Sequence, residues 1–333
     1  MKVFLTFDVE IWCGAWTDLD SRFPSSYKRY VYGESAHGQY GLPKLLEILE
    51  RYDLHGVFFV EPLFAARFGT QYLSTIVAMI RNYGHEIQLH LHPEWTDEIT
   101  PPLLANSTTK RQHLTYYTRE EQRCLIQAGL SLLRDANVDF VSAFRAGSFA
   151  ANRDTFYALQ DNGIVNDSSL NRSLNISCPD LGLERSIGNP FYCGDVRVYP
   201  MTVFVDGLGR LRHAQIGACS AGEMRDALLS AREIGYESFV ILSHNFEMLR
   251  PQSNEPDFIV VKRFEKLCEF LKQNEDKFQV TGFNGAPVRR KGQFDDSRLP
   301  DITVKATSTI QRVFEQWFRR VNDFLDSQSR HRS

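Results

Sequence analysis

The segment Gly84-His85-Glu86-Ile87-Gln88-Leu89-His90-Leu91-His92-Pro93-Glu94-Trp95 alternates in polarity and ends in two histidines and a glutamate. Strand side chains repeat with period 2, so His90 and His92 are expected to share one face. Pro93 stops a ladder or helix from continuing and turns the chain, with Glu94 close behind. Two imidazole nitrogens and a hard carboxylate oxygen at one strand end suit a zinc-type divalent ion. Asp8 and Glu10 flank Val9 after the apolar run 3–7 and share a face by the same rule. One carboxylate can then ligate a metal while the other reaches a water whose pKa the metal lowers. Arg145, in Phe144-Arg145-Ala146-Gly147, follows an apolar stretch. Its guanidinium can hold a carboxylate by a two-pronged hydrogen bond, and Gly147 lets backbone come close to a ligand. His244 closes the apolar run Ile241-Leu242-Ser243 and suits a general acid.

These residues need elements to position them, and the chain has a strand–helix rhythm. Strands are expected over 3–7, 56–60, 84–92, 140–145, 164–167, 239–243 and 278–281. Helices are expected over 42–54, 71–83, 118–137, 155–162, 221–234 and 257–273, the third opened by a capping box at Thr118-Arg119-Glu120-Glu121. About seven βα steps predict an α/β fold with a parallel sheet, closed as a barrel or open and doubly wound. Both arrangements gather functional residues at the carboxyl ends of strands. Asp8 with Glu10, the segment His90 to Glu94, Arg145, Asp167 and His244 all fall there.

Three stretches break the rhythm. Residues 11–39 form a long loop rich in aromatics (Trp12, Trp16, Phe23, Tyr27, Tyr30, Tyr32), suited to stacking on sugars or to packing the loop itself. Residues 93–117 form another. After about residue 285 comes a basic, polar linker (Arg289, Arg290, Lys291) and then an amphipathic helix. In that helix Ile310, Val313, Phe314, Trp317, Phe318, Val321, Phe324 and Leu325 make one face, opposite Arg312, Arg319 and Arg320. That face is expected to pack on the parent domain or a partner, with a membrane-surface role as the alternative. The resulting division is a main domain over 1–285 and a linker with terminal helix over 286–333.

The chain has 333 residues, 43% hydrophobic and 24% charged, with net charge −3, the profile of an ordinary globular protein. No concentrated basic face points to nucleic acid as a partner. Six scattered cysteines without a C-x-x-C pair suggest free thiols in a reducing compartment. With no leader-like start expected at Lys2-Val3-Phe4 and no long apolar span, the expected location is cytoplasmic.

Taken in order, Thr6-Phe7-Asp8, Gly84-His85-Glu86-Ile87 through His90, Arg145 with Gly147, Asp167-Ser168-Ser169 and Leu242-Ser243-His244 resemble the NodB-type polysaccharide deacetylases, carbohydrate esterase family four. The histidine segment and Phe144-Arg145-Ala146-Gly147 most resemble the WalW-like branch, associated with lipopolysaccharide biosynthesis. The resemblance spans roughly residues 1–285. It implies a distorted (β/α)7 barrel and metal-dependent removal of acetyl groups from N-acetylated sugars. It also implies Asp8 as general base, Arg145 as the group orienting Asp8, His90 as a metal ligand and His244 as the acid that protonates the departing amine.

Two positions depart from the family pattern. The usual first motif has adjacent aspartates, whereas Val9 follows Asp8 here and the next acid is Glu10. The usual second motif spaces its histidines four apart, whereas Glu94 stands four after His90, with His92 between. The metal set is therefore Glu10 and His90 with His92, Glu94 or both, and zinc is the expected ion. The expected function is a cytoplasmic N-deacetylase acting on a surface-polysaccharide precursor, with peripheral contact to the inner membrane face or self-association through 310–325. The alternative is a catalytically idle glycan-binding or scaffold protein of the same fold.

Overall fold

Short, mostly apolar runs supply the seven main strands of a parallel sheet. These are β1 (Lys2–Val9), β2 (Val57–Val60), β3 (Glu86–Leu91), β4 (Ala143–Ala146), β5 (Asn166–Asp167), β6 (Val196–Val198) and β7 (Ser238–His244). The computed structural model describes residues 1–105, 108–181, 187–251, 253–284 and 299–330, with side chains as far as residue 319. Strand β7 lies beside β1, and the sheet then runs in sequence order from β1 to β6. A short antiparallel strand, Phe191–Cys193, flanks β6. Strands β2 and β3 are buried along their whole length, as a parallel sheet covered on both faces requires.

The curled sheet is closed by a few isolated hydrogen bonds. The Ala214 N–H donates to the Thr202 carbonyl and the Leu242 N–H to the Ala214 carbonyl, while the Thr202 hydroxyl accepts from the Val240 N–H. The result is the distorted barrel expected from the sequence. Nine helices are described: α1 (Leu19–Tyr27), α2 (Leu42–Arg51), α3 (Phe64–Phe68), α4 (Thr70–Asn82), α5 (Arg119–Asp135), α6 (Arg153–Asp161), α7 (Ala221–Ile234), α8 (Phe258–Gln273) and α9 (Ala306–Arg330). The capping box at the head of α5 is present, with the Thr118 hydroxyl accepting from the Glu121 N–H and the Glu121 carboxylate accepting from the Thr118 N–H.

Two stretches outside the expected strands and helices contain structure. Residues 11–39 hold α1 and a π-helical turn, Lys28–Tyr32. There Phe23 stacks on Phe68 at 3.8 Å and Tyr27 meets Tyr72 edge-on, so these two rings pack the loop onto α3 and α4. Residues 174–217 hold β6, which supplies a barrel strand; at three residues it shows too little alternation to stand out. The expected strand over 278–281 is present, shortened to Gln279–Val280, and pairs parallel with the start of β1.

The terminal helix is docked in the reverse sense. Ile310, Phe314 and Trp317 are 64%, 63% and 58% exposed, whereas Arg312 is buried. The expected packing of the apolar face on the parent domain is therefore not what holds the described part of α9. Its polar face does: the Arg312 Nε donates to both Glu223 oxygens at 2.9 and 3.0 Å, and Nη2 to Asp206 at 2.8 Å. The Ser308 hydroxyl donates to Asp226 at 2.6 Å, and Glu315 accepts from Arg263. The side chains of Arg320, Val321, Phe324 and Leu325, the basic run Arg289-Arg290-Lys291 and the expected boundary at 285/286 lie outside the described residues. No helix among the described residues is long and apolar enough to cross a membrane.

Because Glu223 and Asp206 are buried around one guanidinium, Arg312→Ala should cost about 3–5 kcal/mol in urea unfolding. Phe314→Ser, on the exposed face, should stay within about 0.5 kcal/mol. The opposite ranking would mean that the apolar face carries the docking.

Candidate metal site

Strand ends deliver the site. β1 pairs with β7 in a register that sets Asp8 opposite His244, and β3 with β4 so that His90 faces Arg145. Val9 turns into the core at 1% exposure, so the next residue, Glu10, shares a face with Asp8.

The histidines converge. Nε2 of His90 lies 3.0 Å and Nε2 of His92 lies 3.1 Å from one oxygen, Oε1 of Glu10. The other face of each ring is occupied. Nδ1 of His90 is 2.8 Å from the Arg145 carbonyl, and Nδ1 of His92 is 3.3 Å from Glu94 Oε2. Each Nδ1–H therefore donates outward, and Nε2 is the atom left to bind a cation; this is how proteins set the tautomer of metal-ligating histidines. Glu10, His90 and His92 place one ligand atom each within 4.8 Å of one another, as do Asp8, Glu10 and His244. Glu94, expected from the sequence as a possible ligand, stands behind His92 as its hydrogen-bond acceptor and is not in either group.

Glu10 is clamped by residues the sequence reading did not assign to it. The Trp12 indole N–H donates to Oε2 at 2.7 Å, and its ring meets His92 edge-on at 4.7 Å. Asn245 accepts from the Glu10 N–H at 3.0 Å and donates to the Glu10 carbonyl at 3.2 Å. Burial pushes the Glu10 carboxyl up, but His92, His90 and His244 outweigh it and hold its pKa well below the usual carboxylate range. Burial likewise pushes His92 down, and Glu10 with Glu94 carries it well above the ordinary imidazole value.

Two further arms flank the cluster. Arg145 is 0% exposed, so every N–H it buries needs an acceptor. It donates to Asp8 Oδ1 at 2.6 Å, the Thr6 hydroxyl at 2.9 Å, and the Ser168 carbonyl and hydroxyl at 3.2 and 3.1 Å. The other Asp8 oxygen, Oδ2, lies 4.0 Å from His90 Nε2. On the opposite side His244 Nδ1 donates to Glu247 Oε1 at 2.7 Å, and its Nε2 is 3.9 Å from Glu10 Oε1. Burial lowers the His244 pKa, but the Glu247 hydrogen bond and Glu10 raise it more, to about 9. Glu247, which fixes the His244 ring, was not singled out from the sequence; its signal is the spacing of three from His244.

Gly147 is pressed against the histidine strand. A Cβ there would lie 2.7 Å from His92 Cε1 and Nδ1 and 2.8 Å from the Leu91 carbonyl. Asp167 closes β5, and its oxygens accept from the Ser169 N–H and hydroxyl, so it braces the Arg145 strand end without entering the cluster. Burial raises Asp167 to about 7. Glu61, after β2, is 1% exposed. Its Oε1 accepts from the Leu63 N–H, its Oε2 has no hydrogen-bond partner among the described residues, and burial raises it to about 8.

No protein-family model matches the sequence, and no curated protein matches it. Solved structures do. A candidate polysaccharide deacetylase from Mycobacterium smegmatis overlays with a TM-score of 0.55 at 19% identity, covering 88% of this chain and 94% of the other. A family 4 carbohydrate esterase from Streptomyces lividans, solved with acetate, gives 0.41 at 12% identity over 84% and 92%. A family 4 pseudoenzyme from Bacillus anthracis gives 0.41 at 14% identity over 83% and 62%. The first likeness shows that the chain has the polysaccharide deacetylase fold.

Gly147→Ala should push His92 off its position and weaken divalent-ion binding about 10–100-fold by competition titration, in the range for disturbed ligand support. Unchanged affinity would remove His92 from the site. For Glu61, a folded pKa above its ordinary 4.5 means that its contribution to stability is full below that value and is lost as pH rises to about 8. The stability advantage of Glu61→Gln over the parent should widen with pH across that window and then level, and a gap that narrows would contradict the burial argument.

Proposed function

We propose that this protein is a metal-dependent hydrolase that removes N-acetyl groups from an amino sugar or glycan precursor in surface-polysaccharide assembly. The observation that carries the reading is the convergence of His90 and His92 Nε2 on one Glu10 oxygen, with Asp8 and His244 held on either side. The polysaccharide deacetylase fold supports it. So does the resemblance of the sequence motifs to that family, with the WalW-like branch suggesting a lipopolysaccharide-type precursor.

His90, His92 and Glu10 would hold the ion, two nitrogens and one oxygen favouring zinc and leaving positions open for water and substrate. When bound, it would polarise the amide carbonyl and acidify a water. Asp8 accepts the proton of the attacking water through Oδ2, since Arg145 occupies Oδ1 and fixes the carboxylate plane. His244, protonated at neutral pH and aimed by Glu247, donates a proton to the leaving amine. Water attacks the acetyl carbon, the C–N bond breaks, and acetate and the free amino sugar leave. We place the protein in the cytoplasm, where a precursor rather than a finished polymer is the substrate.

Asp8→Asn should cut kcat about 10²–10⁴-fold, the usual worth of a positioned base, while leaving metal content at the parent level. His92→Ala should lose the ion itself. Metal-free parent protein that still binds glycan would instead favour a non-catalytic glycan-binding role.

A further inference from the structure

Docking α9 through its polar face leaves an apolar stripe turned outward. Ile310, Val313, Phe314, Trp317 and Phe318 recur at i, i+3, i+4, i+7 and i+8, and each is about half exposed or more. The helix cannot roll to cover them, because Arg312 and Ser308 hold its opposite side against Glu223, Asp206 and Asp226. Single exposed apolar residues are ordinary on a globular protein, whereas a contiguous stripe with three aromatic rings marks an interaction surface.

The borders of the stripe are basic. Between it and α8 lies a cleft of about 300 Å³ whose walls include Ile259, Lys262, Lys266, Phe314 and Phe318. The other charges on that cleft, Arg263 and Glu315, pair with each other at 2.7 Å. Lys262 and Lys266 are exposed one turn apart on α8, and neither has an acid within ion-pair distance among the described residues. Glu269, further along α8, accepts from Gln273. At the other end of the stripe sits the hairpin that joins Val203–Val205 to Leu211–His213. Its Gly207 N–H donates to the Thr309 hydroxyl at 2.9 Å, which sets the turn beside Ile310. That turn exposes Leu208 and, two residues on, Arg210, which has no acid partner among the described residues.

We propose that this face binds an anionic lipid surface. The helix α9 lies in the plane of that surface, its stripe and Leu208 meet the acyl boundary, and Arg210, Lys262 and Lys266 meet the headgroups. Helices of this kind bind by buried apolar area together with attraction to anionic lipid, and their aromatic rings sit at the interface. A second copy of the chain fits less well. Two-fold pairing through the stripe would bring these cations toward their own equivalents, and the bordering acid, Glu315, is already paired with Arg263. The assignment stands apart from the deacetylase reading, since it needs neither a metal ion nor turnover.

The test is co-sedimentation of the full chain with vesicles of phosphatidylcholine alone and of an equal mixture with phosphatidylglycerol. The chain should bind the mixed vesicles more tightly, and less so as salt rises. Affinity should fall about tenfold or more in Phe314→Ser, and about fivefold for each of Lys262→Gln and Lys266→Gln. These side chains are exposed, and thermal unfolding verifies that the variants fold. No binding to either vesicle would overturn the assignment, as would binding that Phe314→Ser leaves unchanged. Equal binding to both vesicles, insensitive to salt and to the lysines, would overturn the anionic surface. Sedimentation velocity supplies the remaining outcome: a concentration-dependent dimer abolished by Phe314→Ser would assign the face to a second copy and overturn the lipid.

Discussion

One carboxylate oxygen, Glu10 Oε1, is shared by two buried imidazole nitrogens, and much of the barrel's upper rim exists to keep it there. Groups this buried are costly unless each polar atom has a partner. Trp12 takes the second Glu10 oxygen, Asn245 pins the Glu10 backbone, and the Arg145 carbonyl and Glu94 take the outward N–H of each ring. The Nε2 atoms are thereby committed to the interior of the site. A divalent ion at that point would replace the sharing of one oxygen by direct ligation of all three groups.

Arg145 transmits the same constraint to the neighbouring strands. Its guanidinium ties β1 through Thr6 and Asp8 to the end of β5 through Ser168. The turn that follows is cramped: Gly147 has no room for a Cβ, and Ser148 and Phe149 take left-handed φ of 55° and 56°. Such strain persists only where the surroundings enforce it. Here the His92 ring lies against the Gly147 backbone, so the candidate metal site and the arginine strand constrain each other's positions.

Much of this was legible in the sequence, because strand periodicity assigns faces. Period 2 placed Asp8 with Glu10 and His90 with His92, and the structure has both pairs on the site side. The boundaries of α7 are those expected, and Thr118 caps α5 as its motif indicated. What periodicity could not show is which groups touch across the barrel. Whether Glu94 faces the cluster or His92 Nδ1 depends on the turn after Pro93, and the roles of Trp12, Asn245 and Glu247 depend on register between strands far apart in sequence. The reversal of α9 was hidden for a related reason. Its apolar stripe is conspicuous by spacing, but docking follows the buried ion pairs of Arg312 with Glu223 and Asp206, whose partners lie about a hundred residues away.

The central claim is that Glu10, His90 and His92 together hold one divalent ion. Anomalous diffraction at the zinc edge from zinc-supplied crystals tests it most directly. The account predicts a single strong peak about 2.0–2.2 Å from both Nε2 atoms and a Glu10 oxygen, with Glu94 outside ligand distance. A peak ligated by Glu94 in place of His92, or no peak among these residues, would contradict it.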